Sequence, residues 1–472
     1  MAVFEFIYNH KKTITLTITL LVIGFLYFLS SNYINCSNDG SHFALVSAMV
    51  NNKSTELGEY VNYTAKIDYA VKDGKFYSDR LPGNAFLMLP FFLFGGLLTT
   101  FHVKPAITWR PIEEVSVILE SNVLGITGVF FLFLIFRHFR FSFKLSLFSA
   151  TIYAVCTLNW QESTHVFSHA ASMCFVLMSI YFLLKSKSIY QPSFLWAVIF
   201  LSYSLIIELQ NLLFFIPILV YTIKTNKIDL KKGRQNYKTI LSISTIISIS
   251  FFILLLYNYL TFGELILKSN KYNPNFPEEI SFLSSLSGNL IKGLDTLFIN
   301  SSNIKLLFNW DIAVRNETPG LFIISPILVF SIPGFVLFYK QQRNEAILFL
   351  LLISINVLIA SFHKTVLTRH VFTITPLLFF PSIYSIKWFL KHKNILIKTS
   401  GIVLLIILAL LSAVRIFYVT HTYYGRELTN VFPFKNEISV YLIFLSFLVI
   451  LTFLFFVFKY LLLFLKTKIN TY

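Results

Sequence analysis

The chain has 472 residues, 56% hydrophobic, 17% aromatic and 13% charged, with a mean hydropathy of +0.70. No water-soluble domain is that apolar, which excludes a soluble enzyme and leaves an all-α polytopic membrane protein. The net charge of +17 comes from Lys and Arg in short loops between apolar runs, an orientation signal of membrane proteins, so nucleic acid is not the expected partner.

The first apolar run, 14–33, follows Lys11 and Lys12. No small-residue cleavage site comes after it, so it reads as an uncleaved span rather than a signal peptide. A polar stretch, 34–82, comes next. Apolar runs follow at 83–101, 114–136, 143–160, 165–184, 193–223 and 239–260. After a second polar stretch, 261–318, they resume at 319–339, 345–362, 370–389, 399–419 and 439–465. At roughly 20 residues per crossing, that is a single membrane domain of about twelve spans (11–13). Much of the lipid-facing bulk is expected from Phe, at 53 copies.

Loop charge orients the spans. Lys224, Lys227, Lys231, Lys232, Arg234 and Lys238 oppose one acid, Asp229; Lys387, Lys391, Lys393 and Lys398 form a second basic segment, and Lys459, Lys466 and Lys468 a third. All three fall on one side by parity, which makes that side and the N-terminus cytoplasmic and turns 34–82 and 261–318 outward. The expected location is the plasma membrane of a prokaryote, or the endoplasmic reticulum membrane of a eukaryote. Arg137, Arg140 and Lys144 conflict with this if 193–223 is one tilted or broken span, the favoured reading. They move inside if 193–223 is two short spans broken at Glu208-Leu209-Gln210-Asn211, which requires an earlier segment to be re-entrant. Every Asn-x-Ser/Thr triplet (Asn35, Asn52, Asn62, Asn300, Asn316) lies in the two outward loops, as glycan sites or as ordinary loop composition. Cys36, Cys156 and Cys174 show neither metal spacing nor a disulfide framework.

The polar residues that could carry chemistry cluster at loop boundaries. Asp39, just past the first span, could accept a proton from a hydroxyl, its basicity raised by burial. It or Asn38 could equally cap a helix over Ser41 to Val50 lying on the membrane. His42 lies in the same segment. Asp79-Arg80 precedes Pro82-Gly83, which fixes the start of the next run; the guanidinium suits a phosphate at headgroup height, or snorkels beside Asp79. Asp73-Gly74 reads as a turn, whereas Asp68 has no turn role. His165 and His169 are four apart and would share a helical face, but no Glu completes a zinc motif. Glu208, followed by Gln210 and Asn211, is an ionisable group at membrane depth, lining a cavity or bonding a neighbouring helix. Arg369-His370, preceded by His363 and Lys364, falls on the same face as Asp39.

Two of these segments carry a family likeness. Asn38-Asp39-Gly40-Ser41-His42-Phe43-Ala44 resembles the acid-containing segment after span one in the GT-C superfamily of lipid-phosphate-dependent membrane glycosyltransferases. Asp73-Gly74-Lys75-Phe76-Tyr77-Ser78-Asp79-Arg80-Leu81-Pro82-Gly83 resembles the Tyr-x-Asp/Glu-Lys-Pro-Pro/Gly motif that opens span two there. The nearest group is the protein O-mannosyltransferases and aminoarabinose transferases, of glycosyltransferase family 39 type, and the likeness is clearest over 34–100. Gly40 stands where the group has a second acid, and Arg80 where it has lysine.

The resemblance implies a GT-C-type bundle and an inverting transfer from a polyprenyl-phosphate-linked sugar to a hydroxyl acceptor on protein, lipid or glycan. Arg80, with Arg369, would hold the donor phosphate, and Asp39 would deprotonate the acceptor. His42, Asp68, Tyr77, Asp79, His165 and Glu208 would shape the site. No cofactor is assigned, although a divalent cation is compatible. The rival expectation, a transporter or flippase of lipid-linked saccharides, calls for paired broken helices near the midplane; one break, at Glu208, is visible.

Overall fold

The computed structural model describes residues 2–31, 33–103, 110–225, 233–276, 286–300 and 319–422. The predicted span 439–465, Lys227 to Lys232, Asn316 and the C-terminal lysines lie outside them. In chain order the elements begin with α1 (Ala2–Leu29), α2 (Ser37–Ser47), the strands β1 (Tyr69–Lys72) and β2 (Lys75–Ser78), α3 (Pro82–Thr100) and α4 (Ile112–His138). They continue with α5 (Phe143–Cys156), α6 (Asn159–Glu162), α7 (Ser168–Lys185), α8 (Pro192–Ile207), α9 (Phe215–Lys224) and α10 (Gly233–Phe262). The last are α11 (Leu290–Phe298), α12 (Leu321–Ile324), α13 (Ser331–Gln341), α14 (Arg343–Phe362), α15 (Thr375–Phe379), α16 (Ser382–Lys391) and α17 (Ile395–Thr422).

Among the described residues, seven helices are long and apolar enough to cross a membrane: α1 from His10, α3, α4, α7, α10 from Tyr237, α14 and α17. Other predicted spans are helical but interrupted. Ser325 leaves the helical region (φ −124°, ψ 69°) because it precedes Pro326, whose ring disfavours a helical neighbour. Glu208 is extended (φ −141°, ψ 112°), and the Ser204 carbonyl, which already accepts from Glu208 N at 2.9 Å, takes a second bond from Asn211 Nδ2 at 3.0 Å. The strands form an antiparallel hairpin whose turn, Asp73-Gly74, has positive φ at both residues (52° and 76°), as a tight two-residue hairpin requires.

Contacts give each helix its direction. Gly24 packs on Ile126, Asn122 Nδ2 donates to Ser31 Oγ at 3.3 Å, and Arg110 Nη2 donates to Asn35 Oδ1 at 3.1 Å. So α1 and α4 are antiparallel, and α4 begins where α1 ends. α3 closes against that same end, where Thr99 Oγ1 donates to Glu113 Oε1 at 2.6 Å, and the first loop does too, through Tyr63 OH to Glu114 Oε1 at 3.1 Å. Although α3 is span-like in length and apolarity, the chain makes no net crossing between α1 and α4. The run 83–101 is therefore the re-entrant segment.

The same logic corrects 193–223. α8 returns to the first loop, where Tyr203 OH donates to Gly83 O at 3.1 Å. α9 then leads away, and Tyr221 OH donates to Glu345 Oε1 at 3.0 Å at the start of α14. The segment is two short helices that reverse at Glu208, not one through-going span. Arg137 and Arg140 thereby move to the end opposite the first loop. Lys387 stands there too, with Nζ 5.0 Å from the Phe141 ring centre.

The core at that opposite end is aromatic. Phe136 stacks on Phe380 at 5.3 Å, and Phe139, Phe338, Phe349 and Tyr384 pack around them. Phenylalanine thus fills the interior as well as the lipid-facing surface, because broken helices leave gaps that large planar rings close.

Candidate functional site

The site lies at the end where α1 stops. α2 begins at Cys36, whose Sγ accepts from Asp39 N at 3.5 Å. Asp39 is therefore inside the first turn, and neither it nor Asn38 is the cap. Nor does α2 lie on a surface: Asp39 to Ala48 are all buried against the turn 58–64, the hairpin and α3. Gly40 permits this approach, since a Cβ there would stand 1.7 Å from Tyr63 O. A second acid at that position has no room.

Asp39 is fully buried, and among the described residues no charged side chain pairs with its carboxylate, which the Cys36 thiol and the Asn35 and Val166 backbone approach. Burial pushes its pKa up to about 7, against the opposing pull of the Cys36 thiol, the Asn35 and Val166 backbone and the Arg369 charge. His42, three residues on and so on the same helical face, has both ring nitrogens unpartnered. Burial, with Arg80 nearby, holds its pKa down to about 3, so its imidazole is neutral at physiological pH.

Arg80 enters from the hairpin side. Its Nη2 pairs with Asp68 Oδ1 and its Nε lies 3.3 Å from Asp79 Oδ1. Ser37 Oγ donates to Asp68 Oδ2 at 2.5 Å, and Asn273 Nδ2 to Asp79 Oδ2 at 2.8 Å. Burial alone would lower the Arg80 pKa, but the two carboxylates outweigh it and the net shift is upward. Tyr77 stands apart. Ser78 bonds Ser41 at 2.8 Å, so strand alternation sends Tyr77 the other way, onto Phe262 at 5.3 Å.

Arg369 arrives from the 3-10 turn Thr368–Ile374 and rests on the Phe167 ring at 5.0 Å. Its charge acts on Asp39, Arg80 and Glu162, which places it between the two halves of the site. His165 stacks beneath Phe167 at 5.1 Å, with Nδ1 2.8 Å from Gln161 O. It precedes α7 and shares no helical face with His169. Among the described residues, no group of three or more His, Cys, Asp or Glu side chains is arranged to hold a metal ion.

Glu208 joins three elements. Oε1 accepts from Ser168 Oγ at 3.1 Å and lies 2.6 Å from His169 Nδ1; Oε2 accepts from Gln210 Nε2 at 3.0 Å and Thr373 Oγ1 at 3.3 Å. Thr373 is one turn beyond Arg369, so this network fixes the turn that carries the guanidinium.

Glu162 was not foreseen. It is fully buried on α6 with both carboxylate oxygens unpartnered, and burial raises its pKa. Beside the site, a cleft of about 460 Å³ opens between α2, α3 and the start of α4, lined among others by Phe43, Tyr63, Phe92, Leu93, Leu97 and Glu113.

No protein-family model and no curated protein sequence matches the chain. Solved structures do. The oligosaccharyltransferase AglB of the archaeon Archaeoglobus fulgidus, in complex with an inhibitory peptide and a dolichol-phosphate, superimposes with a TM-score of 0.56 at 9% identity over 89% of this chain. ArnT of Cupriavidus metallidurans, bound to undecaprenyl phosphate, gives 0.53 at 11% identity over 90%. The chain spans 57% of the oligosaccharyltransferase and 77% of ArnT. Both are GT-C superfamily membrane glycosyltransferases. The chain therefore has the GT-C fold and is a polytopic membrane protein.

Proposed function

We propose that this protein is an inverting glycosyltransferase that moves a sugar from a polyprenyl-phosphate donor to a hydroxyl acceptor at the outer face of a membrane. The observation that carries this reading is Asp39: a fully buried carboxylate with a pKa near neutrality, under the charge of Arg369, which also acts on Arg80. A general base works best when its pKa lies near the working pH. Asp39 takes the acceptor proton as the acceptor oxygen attacks the anomeric carbon. The C–O bond to the lipid phosphate breaks, and the arginines stabilise the charge that develops on the leaving oxygen. One displacement inverts the anomeric centre. The cleft beside α2 offers the lipid a sideways approach from the bilayer. The basic residues at the opposite end, Arg137, Arg140 and Lys387 among them, support a cytoplasmic position for that end under the positive-inside bias. Both structural neighbours were solved with a polyprenyl or dolichyl phosphate bound, which agrees in donor class.

The test is to give purified full-length protein a polyprenyl-phosphate sugar and, separately, the matching nucleotide sugar. Release of free polyprenyl phosphate with sugar transfer from the first alone supports the reading. Use of the nucleotide sugar refutes it, and movement of an intact lipid saccharide across the bilayer establishes a transporter instead.

A further inference from the structure

The second loop is strapped to the first by side chains far apart in sequence. Asn273 is 2% exposed; its Nδ2 donates to Asp79 Oδ2 at 2.8 Å and to Ile67 O at 3.1 Å, while its Oδ1 accepts from Asn275 N at 2.8 Å. Asn275 Nδ2 adds a bond to Lys66 O at 3.0 Å. The strap is anchored further back as well. Tyr272 stacks on Phe262 at 5.0 Å, and Glu264 pairs with Lys72 at 3.4 Å and Lys271 at 2.6 Å.

This matters because of how Asp79 meets Arg80. Two carboxylates face one guanidinium, so Arg80 carries no surplus positive charge for an anion. Asp79 reaches it through Oδ1 alone, at Nε, because Oδ2 is held by Asn273. A carboxylate left to itself prefers to meet a guanidinium with both oxygens. We infer that Asn273 is a positioning residue of the phosphate site: by holding Asp79 in a one-oxygen contact, it keeps part of Arg80 available to an anionic lipid headgroup and links that availability to the seating of the second loop. The inference rests on the reading that Arg80 meets the donor phosphate. Remove the amide and Asp79 turns fully onto Arg80, in direct competition with phosphate.

The experiment uses full-length protein and undecaprenyl monophosphate as the probe. Asn273→Ala is expected to raise its Kd about tenfold, or about 1.4 kcal/mol. Asn273→Asp should do at least the same, since it keeps the acceptor for Asn275 N but removes the donor and sets a carboxylate against Asp79. The same Asn273→Ala change in an Asp79→Asn background should shift Kd by less than about twofold, because the competing charge is gone; that collapse of coupling is the signature of action through Asp79. Hydrogen exchange across 66–80 without ligand should rise in Asn273→Ala. An unchanged Kd, or equal weakening in both backgrounds, overturns the inference, as does unchanged exchange. Arg80→Ala separates the two readings. If it abolishes binding while Asn273→Ala does not weaken it, the phosphate assignment stands and the strap fails. If wild-type protein does not bind the probe even though exchange rises, the phosphate assignment fails and takes the inference with it.

Discussion

Glu208 Oε1 lies 2.6 Å from His169 Nδ1, which ties the reversal between two short helices to the start of a third. The opposite oxygen holds Thr373, one turn past Arg369. Glu208→Ala removes a partner from His169 and from Thr373, which keeps only Ser172, and loosens the Arg369 turn. Leaving these buried groups unsatisfied is expected to cost about 1–3 kcal/mol of stability, read as a lowered Tm in detergent. Glu208→Gln, which keeps the shape and an amide oxygen for Ser168 or Thr373, should lose less. Equal Tm values for both variants and wild type would reduce Glu208 to a spectator.

The pH dependence of turnover follows from Asp39. Its raised pKa, about 7, means that the base form fills as pH rises through neutrality. kcat/KM should therefore climb with pH up to about 7 and then level off. His42, held down to about 3, should contribute no inflection near neutrality. A profile already flat between pH 5 and 8 would exclude Asp39 as the titrating base.

The same shift has a stability consequence of opposite sense. An acid whose folded pKa is raised destabilises the fold increasingly as pH rises from its unfolded pKa, roughly 3.9, to its folded value, and fully above that. Asp39→Asn removes a buried charge and should melt above wild type at pH 8, with the gap closing by pH 4. A variant that melts lower at pH 8 would show the carboxylate to be a structural partner.

Helix direction predicts which loops share a side. Cysteines introduced at Asn62 and at Lys187, in the α7–α8 loop, lie at opposite ends of the bundle. An impermeant thiol reagent applied outside should label the first and miss the second, and a cysteine at Arg140 should behave like Lys187. Labelling of Asn62 and Arg140 from the same face would contradict the re-entrant α3.

The sequence made Asp39, Arg80 and Arg369 legible because charged groups are rare in so apolar a chain and these stand at span boundaries. It did not show that α3 fails to cross, since its composition matches a true span and only Thr99–Glu113 and Arg110–Asn35 reveal where α4 begins. Glu208 was visible as a polar interruption, but a reversal and a kink look the same in one dimension. The cap of α2 went to Cys36 against the usual preference, because Asp39 is held inside by packing around Gly40. Glu162 escapes notice in the sequence because it stands in the four-residue gap between the runs 143–160 and 165–184, just after Asn159 and Trp160 close the first. What marks it is the Arg369 charge acting on its carboxyl, a relationship between residues far apart in sequence. Asn273 carries no local signal beyond Pro274 and Pro277 after it; its partner is 194 residues away.

The central claim is that Asp39 acts as the base while the arginines hold the phosphate. It is tested most directly by single-turnover transfer from a polyprenyl-phosphate sugar, measured beside donor binding, in Asp39→Asn and Arg369→Ala. The account predicts that Asp39→Asn slows the chemical step by about 100-fold or more with donor affinity near wild type, while Arg369→Ala weakens both binding and turnover. Transfer by Asp39→Asn within about threefold of wild type, at the same donor affinity, would contradict it.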